Sequence, residues 1–265
     1  MNMYLHELKS LRKTTIIWLC AIIAIAALYL SLFSGIAKDA AGFKSLLGGY
    51  PPAVRAMLGV SLDTITSLLG FYSMTFAFVV LCGAIEAMNF GISIISKETR
   101  ERTADFLLAK PVSRTAIVNA KLLAALTMLL ATDVLYYAVA SIMASAIATG
   151  YSNKLFFMVN ITLLFVQLIF FALGVIVSVI FNKLKSVLPV SLGVVFGLYI
   201  IGALIATGPN DASRFISPFR YFDSAYIVKN ASYEAPYVIA GAVIVIVAIA
   251  ASYFIYNKKD THAVS

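Results

Sequence analysis

Three side chains that can hold a proton or a hydrogen bond stand inside long apolar runs: Glu86, Asp133 and Gln167. Glu86 lies 11 residues before Lys97, and Asp133 lies 12 residues after Lys121. At ~1.5 Å of helical rise per residue, both carboxyls fall ~16–18 Å from those lysines, at matching depth in an antiparallel hairpin. A charge at a bilayer centre costs about 2.5–3.5 kcal/mol on insertion scales. Two carboxylates facing one another in a low dielectric do not both ionise freely. The spacing therefore fits an intramembrane polar site or a path lining. It fits equally a hairpin that projects from the bilayer and leaves both groups at the interface. Gln167 sits in the middle of its run and suits an interhelical hydrogen bond, with packing the simpler role.

Other chemistries find little support. The two histidines, His6 and His262, lie outside every apolar run, so no metal-type or glutamate-type intramembrane protease and no Ser-His dyad can be assembled within the membrane. No G-x-x-x-x-G-K-[ST] loop is present to cradle nucleotide phosphates. Cys20 and Cys82 each sit in an apolar run, without metal-site or disulfide spacing. The chain is expected to be no enzyme and to hold no metal or cofactor of its own.

The segment Ser96 to Arg114 is the most informative polar stretch. Glu98 and Arg102 form an i, i+4 acid-to-base pair in the favoured order, and Glu101 and Asp105 extend the charged face. Phe106, Leu107 and Leu108 then make an apolar knob. Pro111 cannot sit in the interior of that helix, and Ser113 can N-cap the next one. A charged helix with an apolar knob suits docking to a soluble partner; a solvated hairpin is the plain alternative.

The elements that must position these groups follow from composition. Of 265 residues, 62% are hydrophobic and 12% charged, with a mean hydropathy of +0.95. A soluble domain carries about 25% charged residues, so too few polar side chains exist here to cover a water-facing globule. Six uncharged or nearly uncharged runs are long enough to cross a ~30 Å hydrocarbon core as helices, approximately 14–37, 64–95, 121–150, 155–182, 186–208 and 235–257. The expectation is an all-α integral membrane protein, with residues 1–265 as a single transmembrane domain. Six spans put both termini on one side. With the termini inside, the inner segments hold 13 Lys and Arg and the outer segments 7, which places the termini in the cytosol. The net charge of +8 is thereby topological, and nucleic acid is not an expected partner.

Before the first span, Tyr4, Leu5, Leu8 and Leu11 form a helical stripe opposite His6, Glu7, Lys9 and Arg12. That pattern suits an interfacial elbow helix or a charged flank that only sets topology. Pro51, Pro52 and the following Ala53, Val54, Met57 and Leu58 suggest a short helix in the first outer connection. The outer connection from Gly208 to Glu234 is rich in Phe and Tyr, as expected of a segment at the headgroup level, with a ligand-binding loop as the less common alternative.

The Ser96–Arg114 stretch resembles the first cytosolic loop of type-2 ATP-binding-cassette (ABC) exporter permeases. That loop typically reads Glu, then Gly-Thr-Leu-Glu, then Leu-Leu-x-x-Pro-x-Ser-Arg, with a lysine entering the third span. Glu98, Thr103, Asp105, Leu107, Leu108, Pro111, Ser113, Arg114 and Lys121 match; Arg102 replaces the usual glycine and Ala104 the usual leucine. Tyr50-Pro51 and Ser217-Pro218-Phe219 extend the likeness along the chain. The resemblance implies that the segment is a coupling helix seated on a separate cytosolic ABC ATPase, through Glu98, Arg102, Thr103, Asp105, Phe106, Leu107, Leu108, Pro111 and Arg114. It further implies a second permease copy, identical or related, and export of a hydrophobic or amphipathic compound (a drug, an antimicrobial peptide or a lipid-like molecule) across a bacterial-type plasma membrane. ATP and Mg2+ would be bound by the ATPase. Two rivals follow from the residues alone: an ion- or proton-coupled secondary transporter using Glu86 and Asp133, and a non-transporting membrane anchor of an ATPase complex.

The basic-residue count makes the topology testable. In a Cys-free background, single cysteines at Ser152 and Asn230 are expected to react with impermeant thiol reagents in whole cells. Cysteines at Ser113 and Ser265 should stay protected; the opposite pattern reverses the orientation.

Overall fold

The computed structural model describes residues 3–51, 54–55, 60, 62–101, 113–181, 186–206 and 211–258. All regular structure among them is helical: α1 (Met3–Lys38), α2 (Ala40–Gly48), α3 (Leu68–Glu101), α4 (Arg114–Ile147), α5 (Asn153–Ile180), α6 (Leu188–Ile205), α7 (Ser224–Asn230) and α8 (Ala235–Lys258), with 3-10 turns at Asp211–Ile216 and Pro218–Arg220. Six of these helices, α1, α3, α4, α5, α6 and α8, are long and apolar enough to cross a membrane. They coincide with the six runs read from the sequence.

Hydropathy alone does not rank these helices, because lipid and protein interior are equally apolar. Burial does. In α3 and α5, 61% of the spanning window is buried, against 17% in α6 and α8, so α3 and α5 form the centre and the others surround them. The two central helices run parallel and meet backbone to backbone at Gly91 and Gly174. A β-carbon on Gly174 would lie 2.6 Å from the Met88 carbonyl oxygen and 3.0 Å from Gly91 Cα; one on Gly91 would lie 2.9 Å from Gly174 Cα. Small residues permit this approach, and it is the packing that substitutes for a hydrophobic drive inside lipid. The apolar interior divides in two. One cluster joins Ile22, Leu30, Phe71, Tyr72, Tyr136 and Phe156. The other joins Leu11, Phe90, Val118, Leu129, Phe170 and Val195.

The N-terminal stripe departs from expectation. The segment read as an elbow helix or a charged flank continues into the first span as one 36-residue helix. Glu7, placed by periodicity on the solvated face, is buried, while Leu5 is 56% exposed. The reason is a partner the stripe could not reveal: Lys121 Nζ of α4 lies 3.3 Å from Glu7 Oε1 and donates to the Ile94 carbonyl of α3 at 2.7 Å. Lys97 Nζ adds a 2.7 Å bond to Ser10 Oγ. α1, α3 and α4 are thus clasped at the end of the bundle where the α3–α4 connection emerges.

The far end differs as well. A helix absent from the sequence reading, α2, starts at Asp39, whose carboxylate accepts from Gly42 N at 3.0 Å. Of the short helix expected after Pro51, only Val54 and Arg55 are described, both helical; Pro52, Ala53, Met57 and Leu58 lie outside the described residues.

Two expectations follow. Gly91→Val and Gly174→Val force α3 from α5 and should each destabilise the fold by about 1–3 kcal/mol or more, read as a lowered midpoint of thermal unfolding in detergent. Glu7→Ala takes the carboxylate from beside the buried Lys121 ammonium and should lower the unfolding midpoint, whereas Glu7→Ala with Lys121→Met should recover most of that loss.

Candidate functional site

Glu86, Asp133 and Gln167 come together from three helices. α3 carries Glu86 with no exposed surface, α4 carries Asp133, and α5 carries a fully buried Gln167. The Gln167 amide lies between the two carboxyls. One end is 3.4 Å from Glu86 Oε2; with its nitrogen turned to Asp133, the other end donates to the two carboxylate oxygens at 3.0 and 3.1 Å. Thr132 completes the group, its Oγ1 3.1 Å from Glu86 Oε1 and also 3.1 Å from the Met128 carbonyl oxygen. Gly83 leaves the space that Gln167 occupies: a β-carbon there would lie 3.1 Å from Gln167 Nε2. The matched offsets from Lys97 and Lys121 thus translate into one polar cluster inside the helical bundle.

A second polar cluster lies towards the far end, at Tyr72, Tyr136 and Asn160. The Tyr72 hydroxyl is 2.7 Å from both the Tyr136 hydroxyl and Asn160 Oδ1, and Asn160 Nδ2 donates to the Phe156 carbonyl at 2.7 Å. Sequence reasoning passed over these groups. Tyrosines are common in apolar runs, and the one usable signal was Asn160, an amide in the uncharged run from Leu155 to Asn182. Buried amides and hydroxyls find partners because leaving them bare in an apolar medium costs several kcal/mol.

The aromatic connection after α6 packs against the helices. Phe219 lies tilted on Phe170 at 5.0 Å and edge-on to Tyr199 at 5.4 Å, and Phe222 lies 5.3 Å from Phe165. Tyr233 donates to the Met158 carbonyl at 3.0 Å. Arg214 secures the connection with a two-pronged pair to Glu234 at 3.0 and 2.6 Å, a bond to the Arg220 carbonyl at 3.1 Å and a seat over the Tyr237 ring at 4.1 Å. Burial works against the Arg214 charge, but the hydrogen bonds and charge of Glu234 outweigh it, so the guanidinium titrates above its ordinary range. Beneath this cap, a recess of about 90 Å³ is lined by Ser73, Phe76, Thr162, Tyr199 and Phe219. Pockets that enclose a drug-sized ligand are about 300–1,000 Å³, so this recess does not hold one.

The segment expected to dock on a partner is only bracketed by the described residues. Glu98 lies in the last turn of α3, which continues to Glu101, and Arg114 opens α4. Ser113 caps that helix as expected, accepting from Ala116 N at 3.2 Å. Arg102, Thr103, Asp105, Phe106, Leu107, Leu108 and Pro111 lie outside the described residues.

Comparison with known proteins adds one finding. The profile of the family described as ABC-2 family transporter protein matches residues 1–261. No curated protein and no solved structure gives a match. Six membrane-length helices, and a profile matched along nearly the whole chain, place this protein in the ABC-2 transporter family as a membrane permease of an ABC transporter.

Proposed function

We propose that this permease exports a hydrophobic or amphipathic compound, driven by a separate cytosolic ATPase that docks on the Glu98–Arg114 segment. The observation that carries the reading is the family match over residues 1–261, joined to the loop motif at Glu98, Thr103, Asp105, Leu107, Leu108, Pro111 and Arg114. The surroundings of that segment support it. α3 runs past its apolar part to Glu101, α4 begins with a capped turn at Ser113, and the Glu7–Lys121 clasp ties both to α1. A push on the segment is therefore passed to three helices at once. ATP and Mg2+ belong to the ATPase in this reading. The chain's own part is to receive the motion.

A second permease copy, identical or related, completes the translocation path in this proposal. The membrane is a bacterial-type plasma membrane, with both termini in the cytosol by the count of basic residues.

Burying a Phe or Leu side chain is worth roughly 1.5–3 kcal/mol, so Phe106→Ala or Leu107→Ala should weaken ATPase association about tenfold or more. Asp105→Lys and Arg102→Glu should weaken it most at low salt. Pull-down of the ATPase and substrate-stimulated ATP hydrolysis in proteoliposomes measure both. Full association and activity in all four variants would remove the segment from the coupling role. Transport that ignores ATP and collapses with the proton gradient would favour the ion-coupled alternative.

A further inference from the structure

The Gln167 amide has one donor end and one acceptor end, yet each end faces a carboxyl. Its nitrogen can satisfy one ionised carboxylate with two N–H bonds. Its oxygen can only accept, and an ionised carboxylate has nothing to give. Whichever way the amide turns, one end of a fully buried side chain lacks a donor unless a carboxyl carries a hydrogen. Thr132 is no such donor to the amide: its hydroxyl hydrogen is given to Glu86 Oε1, which leaves Oε2 as the Glu86 oxygen facing Gln167.

Orientation decides which carboxyl must donate. Asp133 offers both oxygens to the amide at 3.0 and 3.1 Å, the arrangement that suits an NH2 group on a carboxylate. Glu86 offers one oxygen at 3.4 Å and has its other oxygen beside a hydroxyl. From this geometry we propose that Glu86, Asp133 and Gln167 form an intramembrane proton-binding site, with the proton on Glu86 donated to the Gln167 carbonyl and Asp133 left as the carboxylate. One proton also leaves a single net charge in the cluster where two would repel.

Among the described residues, the other titratable groups near the pair are Cys82, one turn earlier on α3, and Tyr136, one turn after Asp133 on α4 and bonded to Tyr72. The apolar runs of α1, α5, α6 and α8 contain no acidic or basic side chain. Among the described residues, no basic side chain is paired with Glu86 or Asp133. Separating α3 from α4 and α5 would admit water to Glu86 and release the proton, so occupancy of the site follows the packing of these three helices.

The proposal concerns this chain alone and stands or falls independently of ATPase docking. Its test is infrared spectroscopy of the full chain in lipid nanodiscs at neutral pH, comparing the wild type with single variants. Glu86→Gln should remove a protonated-carboxyl C=O band, and Asp133→Asn should remove carboxylate bands. Gln167→Met, which keeps both acids and deletes the acceptor, should shift the Glu86 band to higher frequency. Loss of carboxylate bands alone in Glu86→Gln, as two ionised acids around a bound alkali ion would give, overturns the proposal. An acid band that does not move in Gln167→Met overturns it too, and that variant decides the matter should Glu86→Gln fail to fold.

Discussion

The backbone contact of α3 with α5 at Gly91 and Gly174 sets the spacing on which the rest of the bundle depends. Inside lipid, helices gain little from hiding apolar surface from one another, so they associate where close approach lets many atoms touch and polar groups reach across. Glycine supplies the approach. Once the two central axes are that near, Gln167 reaches Glu86 across a gap kept open by Gly83, and α4 is held against both through Thr132 and Asp133. A wider separation would leave each of these groups facing hydrocarbon.

The polar contacts fall in layers along the bundle, each joining a different set of helices. Glu7 and Lys121 join α1 to α4, with a bond onto α3. The Glu86 cluster joins α3, α4 and α5, and so does the Tyr72 cluster nearer the far end. Arg214 and Glu234 then join the aromatic connection to the start of α8. Buried polar bonds of this kind fix register, because a slip of one turn breaks several at once.

Much of this was legible in the residues. The six spans follow from apolar run length, and the Ser113 cap from a serine ahead of an apolar helix. The shared depth of Glu86 and Asp133 follows from counting helical rise from two lysines, but the Gln167 amide between them does not. What was not legible depended on long-range partners. Periodicity put Glu7 in water because nothing local shows that Lys121 will be waiting for it. Tyr72, Tyr136 and Asn160 lie on three different helices, so their convergence is a property of packing rather than of any window of sequence. α2 has a local signal in its Asp39 cap, but its short apolar stretch follows directly on the first span and does not stand out from it.

The Arg214–Glu234 pair closes a loop of about twenty residues, and tethering the ends of such a loop removes on the order of 2–3 kcal/mol of chain entropy. The same guanidinium lies on Tyr237, and the Tyr221 ring stacks against Tyr237 at 5.9 Å, with both tyrosines buried. The connection is therefore bolted to the first turn of α8 at several points. Because Phe219 and Phe222 of the same connection rest on Phe170 and Phe165 of α5, one ion pair anchors the cap to two membrane-length helices, as a rivet holds one plate to two beams.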